Sequence, residues 1–389
     1  MEKPWGNVTG IRPVKIVRRA LESGVAKETV FEDFTHRLGV NREKTELALD
    51  IALREIEVLK GTDTNDICLY VGVPFCRTRC LYCSFVTNSV GVNNKYMPDF
   101  VKSLLMEIDY TADLLKKTPY RIVGLYFGGG TPTALSAEYL ETVIKKCFES
   151  FDLSALREFT VEAGRPDTID EEKLRTLLGC GVTRISINPQ TMNDRVLKVI
   201  GRAHTVFEVY ESFELARKIG FSNINMDLIA GLPTETYGEF VKSVDSVAKL
   251  EPECVTVHTM SIKRGSRLHE QLGDYALTDG ATVEKMVRYS FEKLKNNCYN
   301  PYYLYRQKHM VGEHENIGYS KKGFESLYNI MIMEETNSIV SLGCGGVTKI
   351  VNLPNDKIER VFNVKEAVDY VTRIDEMCRR KNAVLEWLA

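Results

Sequence analysis

Apolar positions along the chain fall into two alternating patterns. From residue 67, short apolar runs of strand length occur at Ile67–Val73, Ile122–Phe127, Glu158–Glu162, Arg184–Asn188, Asn223–Ile229 and Cys254–Thr259. Between them lie longer amphipathic stretches at 95–117, 136–150, 170–179, 193–219 and 236–250, where apolar residues recur at helical spacing. Strands that alternate with helices predict a parallel sheet with helical crossovers, open and doubly wound or curled into a barrel. Ahead of this pattern, residues 12–60 read as charged and helical, with Leu49, Ala52, Leu53, Ile56 and Leu59 on one face. Thr29–Gly39 reads as a short helix stopped by its glycine. Beyond it, 281–298 predicts another helix, 326–352 strand-like runs broken by glycine, and 364–388 a terminal helix. The expected organisation is an N-terminal helical segment 1–60, a core of alternating strands and helices 61–280, and a C-terminal α+β domain 281–389 that covers the substrate.

The chemistry gathers directly after the first strand. Cys76, Cys80 and Cys83 stand at spacing C-x3-C-x2-C in Tyr70-Val-Gly-Val-Pro-Phe-Cys-Arg-Thr-Arg-Cys-Leu-Tyr-Cys-Ser-Phe85. A structural zinc site commonly takes four ligands in paired knuckles, and no second pair exists here. A disulfide framework belongs to short secreted chains, whereas this one has 389 residues and is expected to carry no secretion signal. The other seven cysteines are scattered singly and read as small core residues. Thiolates on one tight loop suit soft iron, and three of them leave one iron of a four-iron cluster open to a chelating small molecule.

The loop resembles that of radical S-adenosylmethionine (SAM) enzymes, and within them the oxygen-independent coproporphyrinogen III oxidase family. That resemblance implies a [4Fe-4S] cluster on Cys76, Cys80 and Cys83, a SAM chelated to the fourth iron, and its reductive cleavage to a 5′-deoxyadenosyl radical. It also tips the fold class to α/β, a partial (β/α)6 TIM-like barrel, where chemistry collects at the C-terminal strand ends. Phe127-Gly-Gly-Gly-Thr-Pro132 is similar to the glycine turn that receives the SAM amino group, which assigns Gly129, Gly130 and Thr131 to SAM. Glu162, at the end of the third strand, maps to the ribose hydroxyls, and Gln190 to ribose or adenine edges. Asn188-Pro189 stands where the family usually has a glycine–valine pair. Arg202, in Ile200-Gly-Arg-Ala-His-Thr205, matches the guanidinium that pairs with the SAM carboxylate, with His204 read as a loop or capping residue. Asp227, in Asn225-Met-Asp-Leu-Ile-Ala-Gly-Leu-Pro233, is a charge inside an apolar strand and maps to a further SAM contact. Tyr70 and Tyr82 flank the thiols, with Tyr70 on the strand that leads into the loop.

The resemblance extends over about residues 12–389. Phe85 occupies the place where many oxygen-independent coproporphyrinogen oxidases carry a fourth Cys; a heme-chaperone branch carries Phe there too. Tyr305-Arg-Gln-Lys-His-Met310 and Glu315-Asn-Ile-Gly-Tyr319 resemble the HemZ type, a coproporphyrinogen dehydrogenase by the same likeness. The N-terminal domain common in that type is expected to be short or missing. The implied substrate, coproporphyrinogen III, has four propionates and calls for cations and an aromatic-lined pocket. Arg306 and Lys308, beside the run Tyr302, Tyr303 and Tyr305, lead the cation candidates, with Lys263, Arg264, Arg267, Lys321 and Lys322 behind them. Tyr70, Arg306 and Lys308 are the expected catalytic residues. The four tyrosines, Tyr319 included, stack on pyrroles or fill a core. The implied reaction is oxidative decarboxylation of propionates to vinyl groups in anaerobic heme biosynthesis. The alternatives are a heme-binding chaperone that uses His309, His314 or a Cys as ligand, and a radical SAM methyltransferase or heme-opening enzyme with a second SAM. Expected partners are a porphyrinogen or heme-like molecule and an electron donor such as flavodoxin or ferredoxin.

Composition agrees and narrows the field. Formal charge is -2, with no basic excess for nucleic acid. No apolar run reaches the roughly 18 residues that a membrane span needs. Ten cysteines without an export signal predict a reducing cytoplasm.

Overall fold

The computed structural model describes residues 4–8, 10, 12–85, 88–89, 94–307, 310–352 and 357–386. Its strands are β1 (Asp66–Val73), β2 (Phe75–Cys76), β3 (Asn88–Ser89), β4 (Arg121–Gly129), β5 (Glu158–Gly164), β6 (Arg184–Ile187), β7 (Ile224–Ala230), β8 (Cys254–Thr259), β9 (Asn300–Tyr305), β10 (Asn316–Ser320), β11 (Ile339–Gly343), β12 (Val347–Asn352) and β13 (Lys357–Phe362). The fold class is the expected α/β. No helix among the described residues is long and apolar enough to cross a membrane. The chain divides into two compact units.

The first unit comprises Asp63–Pro189, Gly201–Ile224 and Glu335–Ala389. Its strands run in the order β13-β12-β11-β1-β4-β5-β6. From β11 through β6 every pairing is parallel, and β12 and β13 add an antiparallel edge. β1 is buried on both faces, as a central parallel strand must be, which is why it reads as an unbroken apolar run. Helices Met97–Leu115, Ala137–Ser150 and Glu171–Gly179 connect the parallel strands. Ser136 and Asp170 cap the second and third of them by accepting backbone N–H bonds. A buried polar network ties the C-terminal helices to the first. Glu107 accepts from Tyr370 (2.5 Å), Asn363 (2.7 Å) and the Gly343 backbone (2.7 Å), and pairs with Lys381 at 3.0 Å. Every charge there is matched, so its burial is tolerated.

The second unit comprises Met1–Thr62, Gln190–Ile200 and Asn225–Glu334. β7 and β8 are parallel, and β10 pairs antiparallel with both β8 and β9. Helices Pro13–Glu22 and Arg42–Leu59 pack on β9. Gly318 on β10 lies under the Tyr303 ring, where a Cβ would stand 1.8 Å from the ring carbon, so only glycine fits. Glu315 is buried and holds the N-terminal segment: it accepts from the Trp5 indole (3.0 Å) and from Lys44. Asn316 accepts from the Thr259 backbone at 2.9 Å. The Glu315-Asn-Ile-Gly-Tyr319 stretch is therefore largely a packing motif.

Three periodic readings differ from the structure. Residues 193–219 form two helices, Asp194–Val199 and Val206–Ile219, because Gly201 adopts φ +73 and frees the turn between them. Residues 326–352 open with a helix, Leu327–Glu334, before β11. Residues 364–388 break into short helices at 367–372, 374–380 and 383–386.

Two predictions follow from buried charges. Arg18 bonds Glu334 at 3.2 Å, and beside them both carboxylate oxygens of Glu55 lack a partner although the side chain is fully buried. Burial, then the charge of Glu334, pushes Glu55 well above its ordinary value; burial likewise pushes Glu334 up to about 7. Folded-state values raised above the unfolded ones mean that the stability is full below about 4.5 and is lost as pH rises towards about 7. Glu55→Gln should flatten that decline and raise the denaturation midpoint at alkaline pH. In the first unit, Glu107→Ala leaves Lys381 buried without a counter-charge, and should cost about 3–5 kcal/mol in denaturant unfolding.

Candidate active site

The thiol loop belongs to the first unit. Cys76 and Cys80 are buried, and Cys83 is partly exposed. The loop is pinned by the glycine turn, whose Gly130 and Thr131 N–H groups donate to the carbonyls of Val73 (2.7 Å) and Phe75 (2.8 Å). A Cβ on Gly130 would lie 2.5 Å from the Phe75 oxygen, which explains the glycine. The Thr131 hydroxyl stands 3.1 Å from Cys76 Sγ. Those N–H groups thus serve the loop, and Gly129, with φ +102, packs against Val73 and the Tyr70 hydroxyl.

A second clamp was not read from the sequence. Arg165, only 2% exposed, grips Asp167 with a two-pronged pair at 2.9 and 2.8 Å. Its remaining terminal nitrogen donates to the Thr78 carbonyl (3.0 Å) and lies 3.8 Å from Cys80 Sγ. Arg77 donates to the Asp167 carbonyl at 2.7 Å, and Thr78 to the Gly201 carbonyl at 2.8 Å. The signal was Gly164-Arg-Pro-Asp167 immediately after β5, an Arg-x-Asp pair at a strand end.

The donors fit an iron–sulfur cluster. Burial pushes the Cys76 thiol up to about 12, so thiolates on this loop need cationic partners. Cys80 has them: Arg165 and Arg202 both bear on its sulfur, as does the Tyr82 phenol. No three His, Cys, Asp or Glu side chains among the described residues converge as a single-ion site. A cube spreads three thiolates over three irons and has no need of that convergence.

Beside the loop, strand ends of the same unit present a short row. Tyr70 on β1 and Tyr126 on β4 are in register, with stacked rings 6.0 Å apart. The Tyr126 hydroxyl donates to Glu162 Oε1 at 2.6 Å. Burial, then the Glu162 charge, raises the Tyr70 phenol far above its usual range, so it stays neutral. Tyr126 was missed, because its partner Glu162 lies 36 positions away and no local signal marks the pair. The loop after helix Asp194–Val199 adds Arg202, which donates to the Asn188 carbonyl while its Nε has no partner. His204 is buried with neither ring nitrogen bonded, and burial, then Arg202, pushes it down to about 3. It lies in the loop directly before Thr205, which caps the following helix, and makes no capping bond itself. Asn188 Oδ1 is also unpartnered.

The remaining candidates lie in the second unit. Gln190 has φ +69, bonds β7 through its backbone N–H (to Asp227, 2.8 Å) and carbonyl (from Ile229, 2.9 Å), and leaves Oε1 without a partner. Asp227 accepts from Asn225 at 2.7 Å and lies 3.8 Å from His258 Nε2. Burial works to raise its value, but bonds from His258, Asn225 and Thr256 hold it below the usual range. Arg306 donates to the Val8 carbonyl at 3.1 Å and lies 6.0 Å above the Trp5 ring. Lys308 and His309 lie outside the described residues. His314 is buried and bonded to the Gly280 carbonyl at 3.3 Å, an arrangement that serves packing more than ligation. Tyr302, Tyr303 and Tyr319 are core residues; Tyr305 is partly exposed.

The model of the radical SAM superfamily matches residues 70–247. The chain is 40% identical over 385 residues to the oxygen-independent coproporphyrinogen-III oxidase-like protein HemZ of Bacillus subtilis, with 98% of this chain and 77% of that protein covered. The chain belongs to the radical SAM superfamily, in the oxygen-independent coproporphyrinogen oxidase-like family. Membership in this family implies a [4Fe-4S] cluster and SAM. Within the same superfamily, the heme chaperone HemW of Lactococcus lactis is 31% identical over 82% of this chain and 78% of its own. The solved structure of Escherichia coli coproporphyrinogen III oxidase (HemN) shares the fold, with TM-score 0.62, 21% identity, and 84% of this chain and 73% of that one covered.

A substitution pair tests the ligand set of this radical SAM protein. Cys80→Ala should abolish the iron content and charge-transfer absorbance of anaerobically reconstituted protein. Cys254, whose thiol donates to the Phe324 carbonyl at 3.1 Å in the core, should keep both when changed to Ala.

Proposed function

We propose that this chain is a radical SAM oxidoreductase that converts propionates of coproporphyrinogen III to vinyl groups in anaerobic heme biosynthesis. The observation that carries the reading is the 40% identity, over nearly the whole chain, to a protein named as oxygen-independent coproporphyrinogen-III oxidase-like. In this reading Cys76, Cys80 and Cys83 hold the cluster. Gly129, Gly130, Thr131, Glu162, Gln190, Arg202 and Asp227 hold SAM, with Tyr70 beside it. When bound, these groups supply a 5′-deoxyadenosyl radical able to take hydrogen from an unactivated carbon.

The chain's own work is binding and placement. Unpartnered Arg202 Nε and Gln190 Oε1 are groups left for a polar ligand. Neutral Tyr70 and the Glu162–Tyr126 pair give a donor and an acceptor edge on one strand-end row. Arg306 and Lys308 meet substrate carboxylates. Each propionate loses one hydrogen atom, carbon dioxide and one electron, so an acceptor takes the electron and a flavodoxin- or ferredoxin-like donor reduces the cluster. Placement of the carboxylate fixes which hydrogen is lost.

A second reading, a heme chaperone, is favoured by the 31% identity to HemW and by Phe85 at the position of a fourth Cys. One anaerobic assay separates them, with reconstituted protein, dithionite, SAM and coproporphyrinogen III. Protoporphyrinogen together with 5′-deoxyadenosine is the expected result. SAM cleavage without decarboxylation overturns it; tight heme binding without SAM turnover supports the chaperone, and a methylated product supports methyl transfer.

A further inference from the structure

One face of the second unit's sheet carries a continuous polar row. Strand alternation sends Met226, Leu228, Val255, Val257, Tyr302 and Leu304 to one side, all buried. The other side receives Asn225 and Asp227 from β7, Thr256 and His258 from β8, and Tyr303 and Tyr305 from β9. These groups are linked. Tyr303 meets Thr256 at 3.3 Å, and Thr256 bonds Asn225 Oδ1 at 3.2 Å. Asn225 donates to Asp227 at 2.7 Å, Asp227 Oδ2 lies 3.8 Å from His258 Nε2, and His258 Nδ1 lies 3.4 Å from the Tyr305 hydroxyl. The Tyr303 end is closed. The His258 end is open, with 28% of the imidazole side chain exposed, and it stands at the C-terminal edge of β8. Ligands of α/β sheets collect at such edges.

We propose that His258 and Tyr305, held by Asp227, form a recognition pair for a carboxylate on the pyrrolic substrate; this rests on the substrate class proposed above. The chemistry follows from donor and acceptor counting. A charged imidazole beside the Asp227 carboxylate has an N–H on both nitrogens. Its Nδ1–H then donates to the Tyr305 oxygen and turns the phenolic O–H outward, towards a carboxylate. A neutral imidazole with its proton on Nε2 accepts at Nδ1, pulls the Tyr305 proton inward and leaves only an acceptor. Among the described residues, Asp227 on β7 and Tyr305 on β9 lie against His258, and Tyr303 on β9 shares the face; both phenols are raised by burial and neutral. β10 brings only Asn316 and Gly318. His258 and Tyr305 are positioning and specificity residues, distinct from the cations at 306 and 308.

The test is a fluorescence titration of the full chain with coproporphyrin III, the stable oxidised tetracarboxylate, between about pH 5 and about pH 8, the span in which imidazoles in general change charge. Wild-type affinity should fall as pH rises. Tyr305→Phe should bind about 10- to 100-fold more weakly at the acid end, the cost of a bond to a charged group, and lose the slope. His258→Gln should also be flat. Variants with wild-type affinity and slope overturn the pair; a uniform loss that keeps the slope shows a packing role and overturns it equally. Wild type that binds neither coproporphyrin III nor hemin removes the substrate class together with the pair. Wild type that binds while the variants are silent removes the pair alone.

Discussion

The site depends on one constraint: a loop with three thiols must hold its shape before any iron arrives. Cluster ligands repel one another as thiolates and gain nothing from burial until they are coordinated. The loop is therefore built against backbone rather than against itself. Gly130 and Thr131 hand their N–H groups to Val73 and Phe75, and Arg165 holds the Thr78 carbonyl from the opposite side. Each contact joins the end of one parallel strand to the loop after another, so the sheet's order becomes the loop's geometry.

Charge completes what the backbone begins. Cys80 lies among Arg165, Arg202 and Tyr82, while Asp167 neutralises Arg165 from the far side. Burial penalises every one of these ions alone, and they persist because they are matched. A cationic wall of this kind lowers the cost of thiolate formation and accommodates the negative charge of a thiolate-ligated cluster. The two guanidiniums differ in kind. Arg165 spends its fork on Asp167 and the loop, and is a fixture. Arg202 keeps its Nε unbonded, and remains available to a ligand.

Much of this was legible in the chain because the strong signals are local. Strand–helix alternation and the Cys spacing are read within a few residues, and β1 and β4 through β8 stand where the six apolar runs put them. The failures are those of period without context. Residues 193–219 keep helical spacing straight through Gly201, and only the left-handed backbone there reveals the turn that carries Arg202 and His204. Leu327–Glu334 is apolar at most positions without a helical stripe, so its sequence cannot tell a buried helix from strands. Arg165 and Tyr126 matter through partners far along the chain, Cys80 and Glu162, which no window contains. Motif matching reads family without reading role: Glu315, Asn316 and Gly318 carry a family signature, and in the structure they anchor Trp5, the Thr259 backbone and the Tyr303 ring.

Buried polar groups divide by whether they are satisfied, and that division separates scaffold from site. Around Glu107 each oxygen has donors and Lys381 has acceptors, so the network asks nothing of a ligand. Glu315 is likewise saturated by Trp5 and Lys44. Against these, Asn188 Oδ1, Gln190 Oε1, Arg202 Nε and both His204 nitrogens fall within seventeen or so residues of chain and have no partner. Leaving a buried donor or acceptor unpaired costs about 1–3 kcal/mol each, and so many in one stretch is hard to sustain for packing alone. Glu55 and Glu334 are the instructive exception. Their orphaned oxygens are explained by a retained proton, since both carboxyls are pushed upward by burial, whereas the guanidinium of Arg202 has no neutral form to retreat to. A guanidinium that cannot shed its charge and keeps one nitrogen unbonded is the stronger sign of a ligand, and Arg202, with its Nε unbonded beside the thiol loop, meets that condition.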